Sequence, residues 1–147
     1  MDFAVLVLRN MRSAVDSSVL LDVLLPDPDF GPASAAVLRE AIDSGVVVAC
    51  AIVWAEVRAA FSSDEQFDHA IEKLGVEFEA VNSKAAAMAG SLWRQYRVGS
   101  KGARAHLIPD FLVGAHALLQ AEALLSRDRG FYRRYFSRMK LVDPSSK

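Results

Sequence analysis

The 147 residues carry 17 Lys plus Arg against 18 Asp plus Glu, for a net charge of −1, and they are 52% hydrophobic and 24% charged. That length suits one domain with a core large enough to stand without disulfides or a structural metal, and the composition excludes a disordered tail. The single cysteine, Cys50, excludes an intramolecular disulfide and a cysteine-based zinc site. No apolar run approaches the roughly 20 residues of a membrane span. In the opening Met1-Asp2-Phe3-Ala4-Val5-Leu6-Val7-Leu8 an acid stands where a secretory signal carries positive charge. The expectation is a cytoplasmic protein with no membrane attachment.

Neither a repeat nor a long linker interrupts residues 1–147, so they read as a single domain, with 1–10 a possible N-terminal extension. Residues 13–16 predict a strand, followed by a helix from Ser18 through Leu25 that Ser17 or Ser18 can cap. Pro26-Asp27-Pro28-Asp29-Phe30-Gly31 is a break, and Pro32 suits the first turn of a helix to Ser44, with Gly45 as a stop. Residues 46–50, apolar and rich in β-branched side chains, predict a strand buried on both faces. Residues 51–61 read as helix, and Ser62-Ser63-Asp64-Glu65 restarts a helix that lasts to Leu74-Gly75. Val76-Glu77-Phe78-Glu79-Ala80-Val81 alternates as a half-exposed strand does.

Asn82 or Ser83 caps a long helix reaching Tyr96 or Arg97. A loop, Val98-Gly99-Ser100-Lys101-Gly102-Ala103-Arg104, leads to a helix from Pro109-Asp110 through Gln120. Residues 123–126 predict a strand, 130–136 a short helix and 139–142 a last strand, with the strand end and tail at 141–147. Strands separated by helices predict an α/β sandwich around a mostly parallel sheet of four to five strands. In such sheets ligands bind beyond the carboxyl ends of the strands.

Four acids fall at that edge: Asp16 ends the first strand, Glu56 lies early in the helix after the second, Asp110 opens a helix, and Asp128 follows the fourth strand. Glu56 is flanked by Ile52, Val53, Val57 and Ala60, where an unpaired carboxylate is costly. Acids brought together repel one another and raise each other's pKa unless a cation intervenes. Hard oxygen ligands with few histidines select Mg²⁺ or Mn²⁺, which can orient a water, hold a phosphate and stabilise the leaving oxygen. Each acid also has a plainer reading: a helix-cap acid for Asp110, strand-end turn residues for Asp16 and Asp128, and a partner for Arg58 or Arg127 in the case of Glu56.

Ala14-Val15-Asp16-Ser17-Ser18-Val19-Leu20-Leu21, Trp54-Ala55-Glu56-Val57, Pro109-Asp110-Phe111-Leu112-Val113-Gly114-Ala115-His116-Ala117-Leu118 and Leu124-Leu125-Ser126-Arg127-Asp128-Arg129-Gly130-Phe131 together resemble a PIN domain of the VapC-type toxins. The resemblance covers the chain from about Arg12 to Pro144. It implies a PIN-like α/β/α sandwich and a Mg²⁺- or Mn²⁺-dependent endoribonuclease of a type II toxin–antitoxin system. It also implies that Asp16, Glu56, Asp110 and Asp128 are the catalytic and metal-binding acids, with Ser17 or Ser18 as a supporting hydroxyl. Such proteins are commonly homodimers, neutralised by a small antitoxin. They often begin only a few residues before the first acid, which makes Met11 an alternative start to Met1 and leaves residues 1–10 as an extension or an edge strand.

Charge is unevenly spread: residues 1–93 hold 6 basic and 14 acidic side chains, residues 94–140 hold 10 basic and 3 acidic. Clustering in sequence fits either an intramolecular match between halves or a rim for a polyanion. With an acidic site between them, Lys101, Arg104, Arg127, Arg129, Arg133 and Arg134 read as an RNA-binding rim. Tyr132 or Tyr135, if exposed, offers a stacking surface for unpaired bases, the alternative being ordinary packing. His69, His106 and His116 lack zinc spacing, and His116, on an apolar helix, reads as a hydrogen-bonded core residue. Trp54, Trp93 and Phe111 read as core or interface residues. Two other functions compete. Phosphoryl transfer through Asp16 is disfavoured because Ser18 stands where a dehalogenase-like phosphatase needs a second Asp. A non-catalytic PIN-like module that binds RNA or protein is disfavoured by the intact acidic quartet.

Overall fold

A computed structural model describes residues 11–100, 108–128 and 130–145. The described residues form strands β1 (Met11–Val15), β2 (Gly45–Ala49), β3 (Val76–Phe78), β4 (Ala123–Leu125) and β5 (Leu141–Val142). Seven helices join them: α1 (Ser17–Leu24), α2 (Gly31–Ser44), α3 (Ala51–Arg58), α4 (Asp64–Leu74), α5 (Ser83–Ser100), α6 (Ile108–Gln120) and α7 (Phe131–Tyr135). All four strand pairings are parallel, in the order β3-β2-β1-β4-β5. The α/β sandwich expected from the sequence is therefore observed, with five strands.

The local reasons are visible residue by residue. The carboxylate of Asp16, not a serine, caps α1 by accepting from the Ser17 N–H at 2.8 Å. Ser63 caps α4 through the Gln66 N–H, and Asn82 caps α5 through the Ala85 N–H at 2.9 Å. Gly75 closes α4 at φ 80°, a left-handed conformation that favours glycine. Helix α5 runs to Ser100, absorbing the start of the loop expected from Val98. Helix α3 stops at Arg58, and β3 ends at Phe78, so the acidic alternation beyond it is irregular chain. The rest of that expected loop, together with Lys101, Arg104, His106, Arg129 and residues 1–10, lies outside the described residues.

Because side chains alternate across a strand, β1 serves two layers. Met11 and Ser13, with Ala123 and Leu125 of β4, face Val37 and Ala41 of α2 and line a cavity of about 180 Å³. Arg12 points to the opposite face, where it pairs with Glu79, which in turn bonds His116 of α6 at 2.8 Å. Val15, Val47, Val48, Leu124 and Leu125 are almost wholly buried, the two-sided burial that parallel sheets require. Gly114 lets α6 approach Phe136: a Cβ there would lie 2.3 Å from the ring. Among the described residues no helix is long and apolar enough to cross a membrane.

Candidate functional site

The chain builds β1, β2 and β3 outward in one direction and then returns to place β4 and β5 on the other side of β1. The order therefore reverses between β1 and β4, and the diverging connections leave a crevice beyond the carboxyl ends of those two strands. Asp16 sits at that point. Its backbone N–H continues the β1–β4 ladder by donating to Leu125 O at 2.9 Å. Its Oδ2 accepts from the Ser126 hydroxyl at 2.7 Å and the Tyr132 hydroxyl at 3.3 Å, while Oδ1 takes the Ser17 N–H. Each of these donors is neutral.

Burial raises the Asp16 pKa above its ordinary value, and the Asp110 charge adds to the rise while the Ser126, Ser17 and Tyr132 hydrogen bonds oppose it. The Glu56 pKa is also raised, first by burial and then by the charges of Asp16 and Asp110, with the Ser17 hydroxyl opposing at 3.4 Å from Oε1. These couplings bring Asp16, Glu56 and Asp110 into one electrostatic neighbourhood. Among the described residues no Lys or Arg forms an ion pair with Asp16 or Glu56.

The setting of Glu56 differs from the sequence expectation. The residue stands on the exposed side of α3, with Val53 and Val57 at 0% exposure turned into the core. Arg58 binds Asp64 at 2.6 Å and Arg127 binds Asp22, so neither neutralises Glu56. Of the two candidate hydroxyls, Ser17 reaches the acids. Ser18 Oγ instead accepts from the Arg127 N–H at 3.2 Å and fixes the chain after β4.

Asp128 is placed differently from the other three acids. Its side chain is 1% exposed, and its two oxygens accept from the N–H groups of Tyr132 and Arg133 at 3.0 and 3.1 Å, capping α7. The Arg133 guanidinium lies 3.3 Å from Asp128 Oδ2 and 3.1 Å from Asp143. The basic residues are similarly engaged. Arg127 grips Asp22 with two bonds of 2.7 and 2.9 Å and lies over Phe30, whereas Arg134 is exposed beside Tyr135.

Tyr132, which the sequence offered as an exposed stacker, is 7% exposed and points its hydroxyl at Asp16. Burial, with the charges of Asp16 and Asp110, drives its pKa far up, so it stays protonated and donates. Neither Ser126 nor the role of Tyr132 as a donor to Asp16 was legible in the sequence. The only hint was their position within a few residues of Asp128, just after a predicted strand. His116, by contrast, is the buried, hydrogen-bonded residue expected.

The donor chemistry, carboxylate oxygens with neutral hydroxyls holding Asp16 in place, is of the hard-oxygen kind that a divalent cation takes. Among the described residues no three acidic, histidine or cysteine side chains stand close enough to cage an ion by themselves.

A five-stranded parallel sheet with Asp16 at its switch point defines the fold class, and comparison with known proteins agrees. The PIN domain family model matches residues 14–137, and the chain belongs to that family, whose members are generally nucleases. Among solved structures the chain is similar to VapBC2 from Rickettsia felis bound to a DNA fragment from its promoter, at 18% identity and TM-score 0.67, covering 90% of this chain and 98% of the other. It is also similar to VapBC-1 from nontypeable Haemophilus influenzae, at 22% identity and TM-score 0.65, covering 92% and 100%. A toxin-antitoxin complex from Klebsiella pneumoniae matches at 18% identity and TM-score 0.64, covering 92% and 99%. No curated protein matches the sequence.

Proposed function

We propose that this PIN domain is a Mg²⁺- or Mn²⁺-dependent endoribonuclease, the toxin of a VapC-type toxin–antitoxin pair, that hydrolyses RNA phosphodiester bonds. The carrying observation is that Ser17 links Asp16 and Glu56 beyond the carboxyl end of β1, its N–H on the first and its hydroxyl toward the second, while no described basic residue pairs with either acid; burial, and after it the neighbouring negative charges, raises the pKa of both.

Asp16, Glu56 and Asp110 would hold the ion, which when bound supplies an activated water and stabilisation of the leaving oxygen. Ser126 and Tyr132 fix the Asp16 carboxylate by donating to Oδ2, and the Ser17 N–H by donating to Oδ1. The Ser17 hydroxyl orients Glu56. Arg134, with Lys101, Arg104 and Arg129, would supply the cationic rim that meets the RNA backbone, whereas Arg127 and Arg133 contribute mainly to the frame. An antitoxin partner belongs to the same reading, supported by the VapBC complexes among the structural relatives, and the reading carries with it a homodimer and a cytoplasmic location.

Incubation of the purified protein with total RNA, with and without Mg²⁺ or Mn²⁺, followed by end mapping, tests this directly. Expected are metal-dependent cuts leaving 3′-hydroxyl and 5′-phosphate ends, lost in Asp16→Asn and Asp110→Asn. Binding without cleavage by the parent would move the chain to a non-catalytic RNA-binding role.

A further inference from the structure

We infer that Asp128 is a positioning residue and not a ligand of the ion: it fastens α7 so that Tyr132 donates to Asp16. The inference deepens the nuclease reading above and rests on it for the identity of the ion-holding acids.

Both oxygens of Asp128 are already committed. Oδ1 takes the Tyr132 N–H at 3.0 Å, and Oδ2 takes the Arg133 N–H at 3.1 Å together with the Arg133 guanidinium at 3.3 Å. Arg133 is itself held on its far side by Asp143, whose side chain is 5% exposed and which also accepts from the Ser145 N–H at 2.9 Å. Turning Asp128 toward a metal would strip two backbone donors at the start of α7 of their acceptor. It would also remove one of the two carboxylates on Arg133. Unmade bonds to buried donors are costly, and bonds to a charged acceptor more so.

The gain from the arrangement as it stands is specific. Tyr132 donates its backbone N–H to Asp128 Oδ1 and its hydroxyl to Asp16 Oδ2, the latter at 3.3 Å. Ser126, two residues before Asp128, sends its own hydroxyl to the same oxygen at 2.7 Å. Ser126 and Tyr132 thus bracket Asp16 Oδ2, and Asp128 sets the pitch of the helix that carries Tyr132. Consistent with this division, the charges that act on Glu56 are those of Asp16 and Asp110.

The test pairs metal affinity with folding energetics. Mn²⁺ titration by calorimetry should show Asp110→Asn weakened by more than about 10-fold and Asp128→Asn by less than about 3-fold, because asparagine still caps a helix. Asp128→Ala should lose more than Asp128→Asn, since alanine caps nothing. In EDTA, urea unfolding of Asp128→Ala, Tyr132→Phe and the double variant should give non-additive losses, because both single changes loosen the same contact. A loss of Mn²⁺ affinity in Asp128→Asn equal to that in Asp110→Asn overturns the inference, and so does strict additivity in EDTA. Should the parent bind no Mn²⁺, the nuclease reading falls, while the metal-free cycle still decides the role of Asp128.

Discussion

Asp16 and Asp22 stand at the cap and in the body of the same helix, yet the protein treats their charges oppositely. Asp22 is 4% exposed and receives two guanidinium bonds from Arg127 and the Ser34 hydroxyl at 2.7 Å. Asp16 receives two hydroxyls and one peptide N–H, and no described cation pairs with it. A pairing of the first kind completes a charge and ties elements together. Asp22 joins α1 to the start of α2 and to the chain after β4, and Phe30 lies against the same guanidinium at 4.1 Å. The second kind holds a carboxylate in place without neutralising it, and so leaves it available to a cation from solution. A paired acid is thus framework, and an acid held only by neutral donors is a site.

Breaking the framework pair should have the larger effect on stability. Asp22→Ala leaves the part-buried Arg127 guanidinium without its partner and should cost about 3 kcal/mol in urea unfolding. A loss no greater than that of an exposed-residue control would erase the distinction between the two acids. Asp16→Asn should do the reverse: unfolding free energy unchanged or raised in EDTA, with metal-dependent RNA cleavage abolished, as expected where a site is held at the expense of stability.

Acid titration sharpens the contrast. His116 falls from an ordinary pKa of 6.5 to about 4, because it is buried and the Arg12 charge lies nearby. The unfolded chain therefore takes up a proton that the fold refuses, so this contribution is complete above pH 6.5 and is lost as pH drops toward 4. At pH 4 the loss amounts to as much as about 3 kcal/mol. Asp16 and Glu56 run the other way. Their raised values make the ionised forms unfavourable in the fold, so the contribution is complete below the ordinary 3.8 and 4.5 and is lost as pH rises through the raised values. Replacing His116 by Gln should remove the loss between pH 6.5 and about 4 in metal-free melting curves and expose the opposite slope of Asp16 and Glu56, leaving at lower pH the loss from Asp27 and Asp143, whose values are lowered. Persistence of the parent's loss over that range in the variant would remove His116 as its source.

The smallest effect concerns the rim. Arg134→Ala should weaken RNA binding more at low salt than at high salt and lower the salt slope by about 1, without changing the unfolding free energy. Equal affinity to the parent at low salt would take Arg134 out of the RNA-binding surface.

Much of this was written in the chain itself. Periodicity and punctuation set the succession of strands and helices, because Pro32, Ser63 and Gly75 act through local backbone chemistry that needs no distant partner, whereas Gly45 is needed where β2 meets the Met11 backbone. The two-sided apolar strand at 46–50 announced a parallel sheet for the same reason, since only burial on both faces tolerates it. The acids at 16 and 110 could be singled out because an acid at a strand end or a helix start is legible in one dimension, whereas Glu56 was singled out by its apolar flanks and stands instead on the exposed side of its helix.

Partnership was not legible. Asp16 and Asp22 look alike in sequence, and only packing brought Arg127 to one and left hydroxyls for the other. Arg127 and Arg133 sit in a basic run that reads as a rim, but the fold turns Arg127 against Asp22 and Arg133 between two carboxylates. Tyr132 acquires its role from a contact with a residue more than a hundred positions away. Local backbone preference depends on neighbouring residues and is carried by the chain. Whether a charge ends up neutralised depends on what the folded sheet and helices place within a few ångströms of it, and only the tertiary structure decides that.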